Sequence, residues 1–316
     1  MSALRRTRVW RSGSEVLKKR APGAWQGLAE QWGKAADALE PLQLVRDYPL
    51  SWWNARHDPR AFENLQSFVM FVGYPRSGHS IVGSLLNAHP NLVIGHRLRV
   101  LRYVGAGFGR QQLCGMVLLA DERFARLGRV GSKRYNYSVP GQWQGRYRDL
   151  QVIGDSNVTN NYLRRRPELL PRLRQVMGLP VKLVHVVRNP YDNISTMSIR
   201  NRLSLQEAMD RYFSLCEGAA LIRAASPSQD WFDLRHEDLL DDPILWLERL
   251  CTFVGVGAHQ GYLEACSSVL YRSPHHSRQE VDWSPEMIRQ VQVRMAPYPF
   301  LQDYSFEEPA APAPAN

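Results

Sequence analysis

The stretch "SFVMFVGYPRSGHSIVGSLLNAH", residues 67–89, constrains the fold more than any other part of the chain. An apolar run rich in Phe and Val stops at Gly73 and a turn, as a strand buried on both faces does. From Ser80 onward Ile81, Leu85 and Leu86 fall on one side of a helix. Strand, tight loop and helix in that order present free backbone N–H groups and the positive end of a helix dipole, and so cradle an anion. Gly73 and Gly78 permit the tight turns, while Ser77 and Ser80 add hydroxyl donors. "GYPRSGHS" departs from the triphosphate-binding pattern G-x-x-x-x-G-K-[ST] at one telling place: His79 stands where the lysine belongs. Histidine is shorter and largely neutral at pH 7, so the cation of this loop is Arg76.

Four more short apolar runs, "NLVIG", "LQVIGD", "VKLVHVV" and "DWFDL", alternate with helical or loop segments. That alternation predicts an α/β fold, a parallel sheet flanked by helices on both faces. Ser204 with Glu207 forms a capping box, Asp242–Pro243 and Ser284–Pro285 open helices, and Gly255 follows a helix end. Residues 67–306 are expected to form the main domain. Residues 1–66 read as a basic, Trp-rich helical extension in which Trp25, Leu28, Trp32 and Ala36 recur at helical spacing. The tail 307–316, "EEPAAPAPAN", has too little apolar surface to offset chain entropy and is expected to be disordered.

Composition narrows the partners. The 316 residues, 44% hydrophobic, suffice for a substantial core. A formal charge of +10, from 40 basic against 30 acidic residues, favours anionic partners: a nucleotide, an acidic substrate, nucleic acid or a membrane surface. No aromatic-basic recognition motif supports nucleic acid, which is not expected. The basic N-terminus allows weak contact with a membrane surface. Arg5, Arg6, Arg8 and Arg11 precede no apolar h-region, and no apolar run approaches the roughly 20 residues of a span, so a soluble, cytoplasmic protein is expected. Cys114, Cys216, Cys251 and Cys266 lie far apart and are expected to be buried free thiols, without a zinc site or disulfide framework.

A second anion-binding segment is "VKLVHVVRNPYDNISTM". An apolar strand delivers Arg188 to its carboxyl end, where ligands bind in open α/β sheets, and "NPYDN" turns into a helix. A guanidinium grips a terminal phosphate through two parallel hydrogen bonds. The two segments together resemble the PAPS-dependent sulfotransferases, in their bacterial-type branch. Their first motif, aromatic-Pro-[Lys/Arg]-Ser-Gly-[Thr/His]-[Ser/Thr], is matched by Tyr74, Pro75, Arg76, Ser77, Gly78, His79 and Ser80. Their second, Arg-[Asn/Asp]-Pro with a Ser/Thr eight residues after the arginine, is matched by Arg188, Asn189, Pro190 and Thr196; Ser195 is adjacent and stays open.

The resemblance runs from about Phe68 to Phe306 and implies a P-loop-type sheet. It also implies 3′-phosphoadenosine 5′-phosphosulfate (PAPS) as donor, PAP as product, no metal, and a small-molecule or carbohydrate acceptor. Pro75, Arg76, Ser77, Gly78, His79, Ser80 and Ile81 would hold the 5′ end, and Arg188 with Thr196 the 3′-phosphate. His236, where relatives usually have Tyr, would meet the adenine, and Arg278 in "HHSR" would close over the nucleotide. Arg76, helped by His79, would neutralise charge on the bridging oxygen. Two departures stand out. In "VIGHRLRVL", His96 is the candidate base, but Arg97 occupies the position of the expected glutamate; in "GDSN", Ser156 replaces a lysine. A strand-end structural role for His96 is the alternative. Asp155 either orients a neighbour or the acceptor, or belongs to an ordinary strand-end turn. His89 is expected at a helix end and His185 as a satisfied core residue. A catalytically impaired PAP-binding module and an ATP- or GTP-dependent kinase are the competing functions.

Overall fold

A computed structural model describes residues 40–57, 59–131 and 135–307. The stripe Trp25, Leu28, Trp32 and Ala36, the arginines at 5–11 and the tail from residue 308 lie outside the described residues. The chain divides into two compact units, Met1–Leu50 and Ser51–Asn316. Of the first, residues 40–50 are described, within helix α1 (Glu40–His57).

The second unit is built on five strands, each at an apolar run of the sequence: β1 (Ser67–Gly73), β2 (Leu92–Gly95), β3 (Val152–Val158), β4 (Val181–Val187) and β5 (Trp231–Arg235). All pair in parallel, in the order β2-β3-β1-β4-β5. Every residue of β1 is buried, because this strand lies at the centre and both its faces are covered by helices.

The helices are α2 (His79–Asn87), α3 (Val100–Gly105), α4 (Arg110–Arg126), α5 (Asn160–Arg165), α6 (Leu169–Met177), α7 (Pro190–Asn201) and α8 (Leu205–Ala224). They continue with α9 (His236–Asp241), α10 (Pro243–Val254), α11 (Gln260–Ser268) and α12 (Pro285–Met295). The expected punctuation holds. Ser204 and Glu207 exchange hydrogen bonds at the start of α8, Asp242 and Ser284 cap α10 and α12, and Gly255 ends α10 at φ 101°. In one core, Val69 and Phe71 of β1 and Val184 and Val186 of β4 pack against α2, α9, α10 and α11. In another, Tyr74 and Val187 pack with α7, α8 and α12. The four cysteines are buried free thiols. Among the described residues no helix is long and apolar enough to cross a membrane.

Register decides where the functional segments meet. Gly73 pairs with Val186, and Val187 with Arg235, so Tyr74, Arg188 and His236 leave three adjacent strands within one residue of the same level. Gly95 pairs with Asp155, which brings the turn after β2 beside the second half of β3, on the other side of β1.

Candidate active site

The loop after β1 is held from three sides. The Gly73 amide donates to Asn160 Oδ1 at 2.9 Å, and Asn193 Nδ2 of α7 donates to the Pro75 carbonyl at 2.9 Å. The buried Tyr74 ring is fixed by a chain in which its hydroxyl meets His185 Nε2 at 3.2 Å and His185 Nδ1 meets Asp233 Oδ1 at 2.7 Å. His185 is thus the satisfied core histidine that the sequence leads one to expect. Arg76 adopts φ 76° and Gly78 φ 97°, the left-handed region, so the loop folds back and opens its amides toward the N-terminus of α2. A Cβ on Gly78 would fall 2.7 Å from His236 Nδ1.

Beyond the strand ends lies a cavity of about 730 Å³ lined by Pro75, Arg76, Gly78, His79, Ser80, Ile81, Arg188, Thr196 and His236, all named from the sequence. Ser77 lies beneath the loop, fully buried. Three buried polar atoms here have no hydrogen-bond partner among the described residues: Ser77 Oγ, Arg188 Nε and His236 Nδ1. Such atoms are costly to leave unmade and mark where a polar ligand would bind.

Arg188 is positioned by β4 and by the loops around it. Its Nη1 donates to the Arg76 carbonyl and to Thr196 Oγ1, each at 3.4 Å, and its Nη2 to the His275 carbonyl. Burial lowers its pKa, against the opposing charges of Asp192 and Glu237. Thr196 Oγ1 donates to Ser277 Oγ at 2.8 Å and lines the cavity. Ser195 turns the other way, its Oγ accepting the Trp283 indole N–H at 3.0 Å. Helical geometry lets only one of the two face the cavity, since neighbouring positions are about 100° apart.

His79 lines the cavity and its Nδ1 lies 3.2 Å from the Tyr74 carbonyl, so Nδ1 carries the proton and Nε2 a lone pair. Burial, helped by the charges of Arg97, His96 and Arg76, pushes this imidazole down to about 3. His96 does not line the cavity. It stacks on Phe124 with centroids 3.7 Å apart, and burial with the charges of Arg97 and Arg129 lowers it to about 4. Arg278 also sits elsewhere: its amide donates to Asp192 Oδ1 at 2.9 Å and its guanidinium lies 3.4 Å from Asp192 Oδ2. A buried guanidinium satisfies a buried carboxylate first, because either one alone would be an unpaired charge.

The lining also holds residues that the sequence reading did not assign to the nucleotide: Arg99, Tyr135, Tyr137, Arg200, Arg211 and His275. Arg200 follows Thr196 by one helical turn, a spacing that could have revealed it. Arg97, at the position expected to hold glutamate, lines the cavity and donates to Ser80 Oγ at 3.4 Å. Ser156 has no charge to offer: its hydroxyl donates to the Gly95 carbonyl and accepts the Arg97 amide. Asp155 is fully employed, accepting the amides of Leu98 at 2.9 Å, Val100 at 2.8 Å and Asn157 at 3.0 Å. Burial nevertheless raises it to about 6, those amides pulling the other way.

Residues 180–260 match the sequence profile of the Sulfotransferase family. No curated protein matches the chain. Among solved structures it is similar to the sulfotransferase domain from the curacin biosynthetic pathway, at 16% identity over 74% of this chain and 98% of that one, TM-score 0.49. It is similar also to sulfotransferase STF1 from Mycobacterium tuberculosis H37Rv, at 13% identity over 78% and 81%, TM-score 0.47. A third is mouse sulfotransferase SULT7A1 complexed with PAP, at 12% identity over 72% of each chain, TM-score 0.37. The matched segment, which contains Arg188, Thr196 and His236 on the parallel sheet described above, is similar to the Sulfotransferase family.

Proposed function

We propose that this protein transfers a sulfuryl group from PAPS to a hydroxyl or amine of a small-molecule or carbohydrate acceptor. The observation that supports it most is the convergence on one cavity of two anion-binding segments from adjacent strands, with Ser77 Oγ, Arg188 Nε and His236 Nδ1 unpartnered around them. Arg188 and Thr196 would hold the 3′-phosphate, and Arg76 with the loop amides and Ser80 the 5′ end. His236, packed on Gly78, would offer its free ring nitrogen to the nucleotide. Bound PAPS supplies a sulfuryl group attached to a phosphate leaving group.

The chain's own contribution is positioning and charge. Arg76 and the amides at the start of α2 face the place where negative charge grows on the leaving oxygen. His79, which lines the cavity and whose Nδ1 is turned to the Tyr74 carbonyl, takes the acceptor proton at Nε2 in this proposal; His96, stacked on Phe124, does not line the cavity. An anion against Arg76 and Arg97 removes two charges that depress His79, which strengthens it as a base when the site is filled. Arg278 acts at one remove, holding the 277–280 turn to α7 through Asp192. Magnesium-triphosphate chemistry fits the donor set poorly, since His79 replaces the loop lysine and no carboxylate among the described residues lines the cavity.

The test is calorimetry with PAP followed by transfer of labelled sulfate from PAPS to an acceptor panel. Saturating PAP should raise the melting temperature, and Arg188→Ala should abolish most of that shift. An unchanged melting curve rejects the proposal. PAP binding without transfer to any acceptor favours a binding module, the reading that Arg97 in place of glutamate and the retracted His96 would support.

A further inference from the structure

Six non-glycine residues among those described have positive φ, and three of them, Arg76, Arg97 and Arg99, line this one cavity. A side chain in the left-handed region is strained, and such strain persists only where the surroundings impose it. Here the surroundings are explicit. Asp155, buried in the middle of β3, accepts the amides of Leu98 and Val100 and so pins the turn after β2 with Arg97 at φ 54° and Arg99 at φ 62°. Leu98 and Val100 drop into the interior while Arg97 and Arg99 stay exposed, both on the cavity.

Neither guanidinium has an acidic partner among the described residues, and the only side-chain bond either makes is that of Arg97 to Ser80 Oγ. Among the described residues the cavity lining contains six arginines, Arg76, Arg97, Arg99, Arg188, Arg200 and Arg211, and neither Asp nor Glu. Placement separates these charges into two groups. Arg188 leaves β4 on one side of β1, whereas Arg97 and Arg99 follow β2 on the other side, with the loop of Arg76 between. A donor held by Arg188 and the loop therefore leaves the Arg97–Arg99 end to the acceptor. That end is walled by Tyr135 and Tyr137, whose rings lie 4.8 Å apart. Cations beside aromatic rings suit an organic ring or sugar bearing an oxyanion.

We propose that Arg97 and Arg99, on the turn held by Asp155, form a second anion subsite, and that the acceptor is itself an anion carrying a carboxylate, sulfate or phosphate group near the hydroxyl or amine to be modified. This rests on the sulfotransferase reading above and adds the acceptor's charge to it. The same geometry predicts discrimination by charge: a neutral analogue of identical shape leaves two guanidiniums without a counter-charge.

The full chain saturated with PAP is titrated with matched probes: 4-hydroxybenzoate against its methyl ester, and glucose 6-phosphate and glucuronate against glucose. At least one anion should bind about 10-fold or more tighter than its neutral partner, the range of a charge-assisted hydrogen bond. Arg97→Gln/Arg99→Gln should remove that preference, and Arg97→Lys/Arg99→Lys should retain most of it. PAP affinity in the double glutamine variant should change far less than in Arg188→Ala. If PAP binds but no pair shows a preference for the anion, or the preference survives in the folded double glutamine variant, the inference is wrong. It is equally wrong if that variant loses PAP as Arg188→Ala does, for then the arginines serve the donor. Failure of the native protein to bind PAP overturns the proposed function, and this inference with it.

Discussion

Gly78 and His236 meet with no room for a methyl group between them: a Cβ on Gly78 would lie 2.7 Å from the imidazole Nδ1, at a backbone φ of 97°. The contact joins the loop after β1 to the first residue of α9, across β4. Gly78→Ala should therefore destabilise the fold by about 1–3 kcal/mol and weaken PAP binding, through backbone strain and through displacement of the ring. Pairing it with His236→Ala relieves the clash but not the strain, so the double variant should recover only part of the stability. Urea denaturation and PAP calorimetry on the three variants check this; full recovery would show that φ does not matter there.

Ser195 and Thr196 provide an internal control. Thr196→Val removes the hydroxyl beside Arg188 on the cavity and should weaken PAP by about 10-fold. Ser195→Ala should leave PAP affinity unchanged and cost about 1–2 kcal/mol, because the Trp283 indole N–H loses its acceptor. The reverse pattern would overturn the assignment of Thr196 to the nucleotide.

The wall carrying Tyr135 and Tyr137 depends on a buried ion pair. Asp121 accepts Arg129 Nη1 at 2.7 Å, Arg129 Nη2 at 2.9 Å and Asn87 Nδ2 at 2.7 Å, while Arg129 Nη2 also reaches the Gln144 carbonyl. Asp121→Ala leaves the guanidinium buried without its partner and should cost about 3–5 kcal/mol in stability. A loss below 1 kcal/mol in urea unfolding would mean that water reaches Arg129 and the wall is loose.

Acid should destabilise the native state well above the range in which carboxylates titrate. Burial holds His79 down to about 3, and His96 and His236 to about 4, against an ordinary value near 6.5. Below 6.5 the unfolded chain takes up protons that the folded chain refuses. Their contribution is therefore complete above about 6.5 and is lost as pH falls toward 4. Asp155, raised to about 6, works the other way: its contribution is present at low pH and is lost as pH rises through 6. Three histidines against one carboxyl give a net loss on acidification, about 1.4 kcal/mol per pH unit for each excess proton, less for the half-exposed His96. Urea midpoints at pH 7 and 5 should differ accordingly, and His236→Asn should flatten the slope. Equal midpoints would contradict the burial of these rings.

All five strands, and the two segments that meet at the cavity, were legible in the chain itself, because their signals are local. Continuous apolar runs, glycine and proline at turns, and Asp242 or Ser284 before a helix act over a few residues, whatever lies across the molecule. The place of Arg76 on the cavity could be expected the same way, from the missing lysine. What tertiary structure decided is which side chains face the cavity. Thr196 faces it and Ser195 does not because Trp283, nearly ninety residues on, takes the serine hydroxyl. His96 is drawn against Phe124, and Arg97 and Arg99 are left exposed on the cavity by the carboxylate of Asp155, 55 residues beyond Val100. Arg278 is held by Asp192 of α7. Each of these outcomes depends on a buried partner supplied by a distant segment, where an unpaired polar group would be costly, and no local pattern encodes which partner arrives.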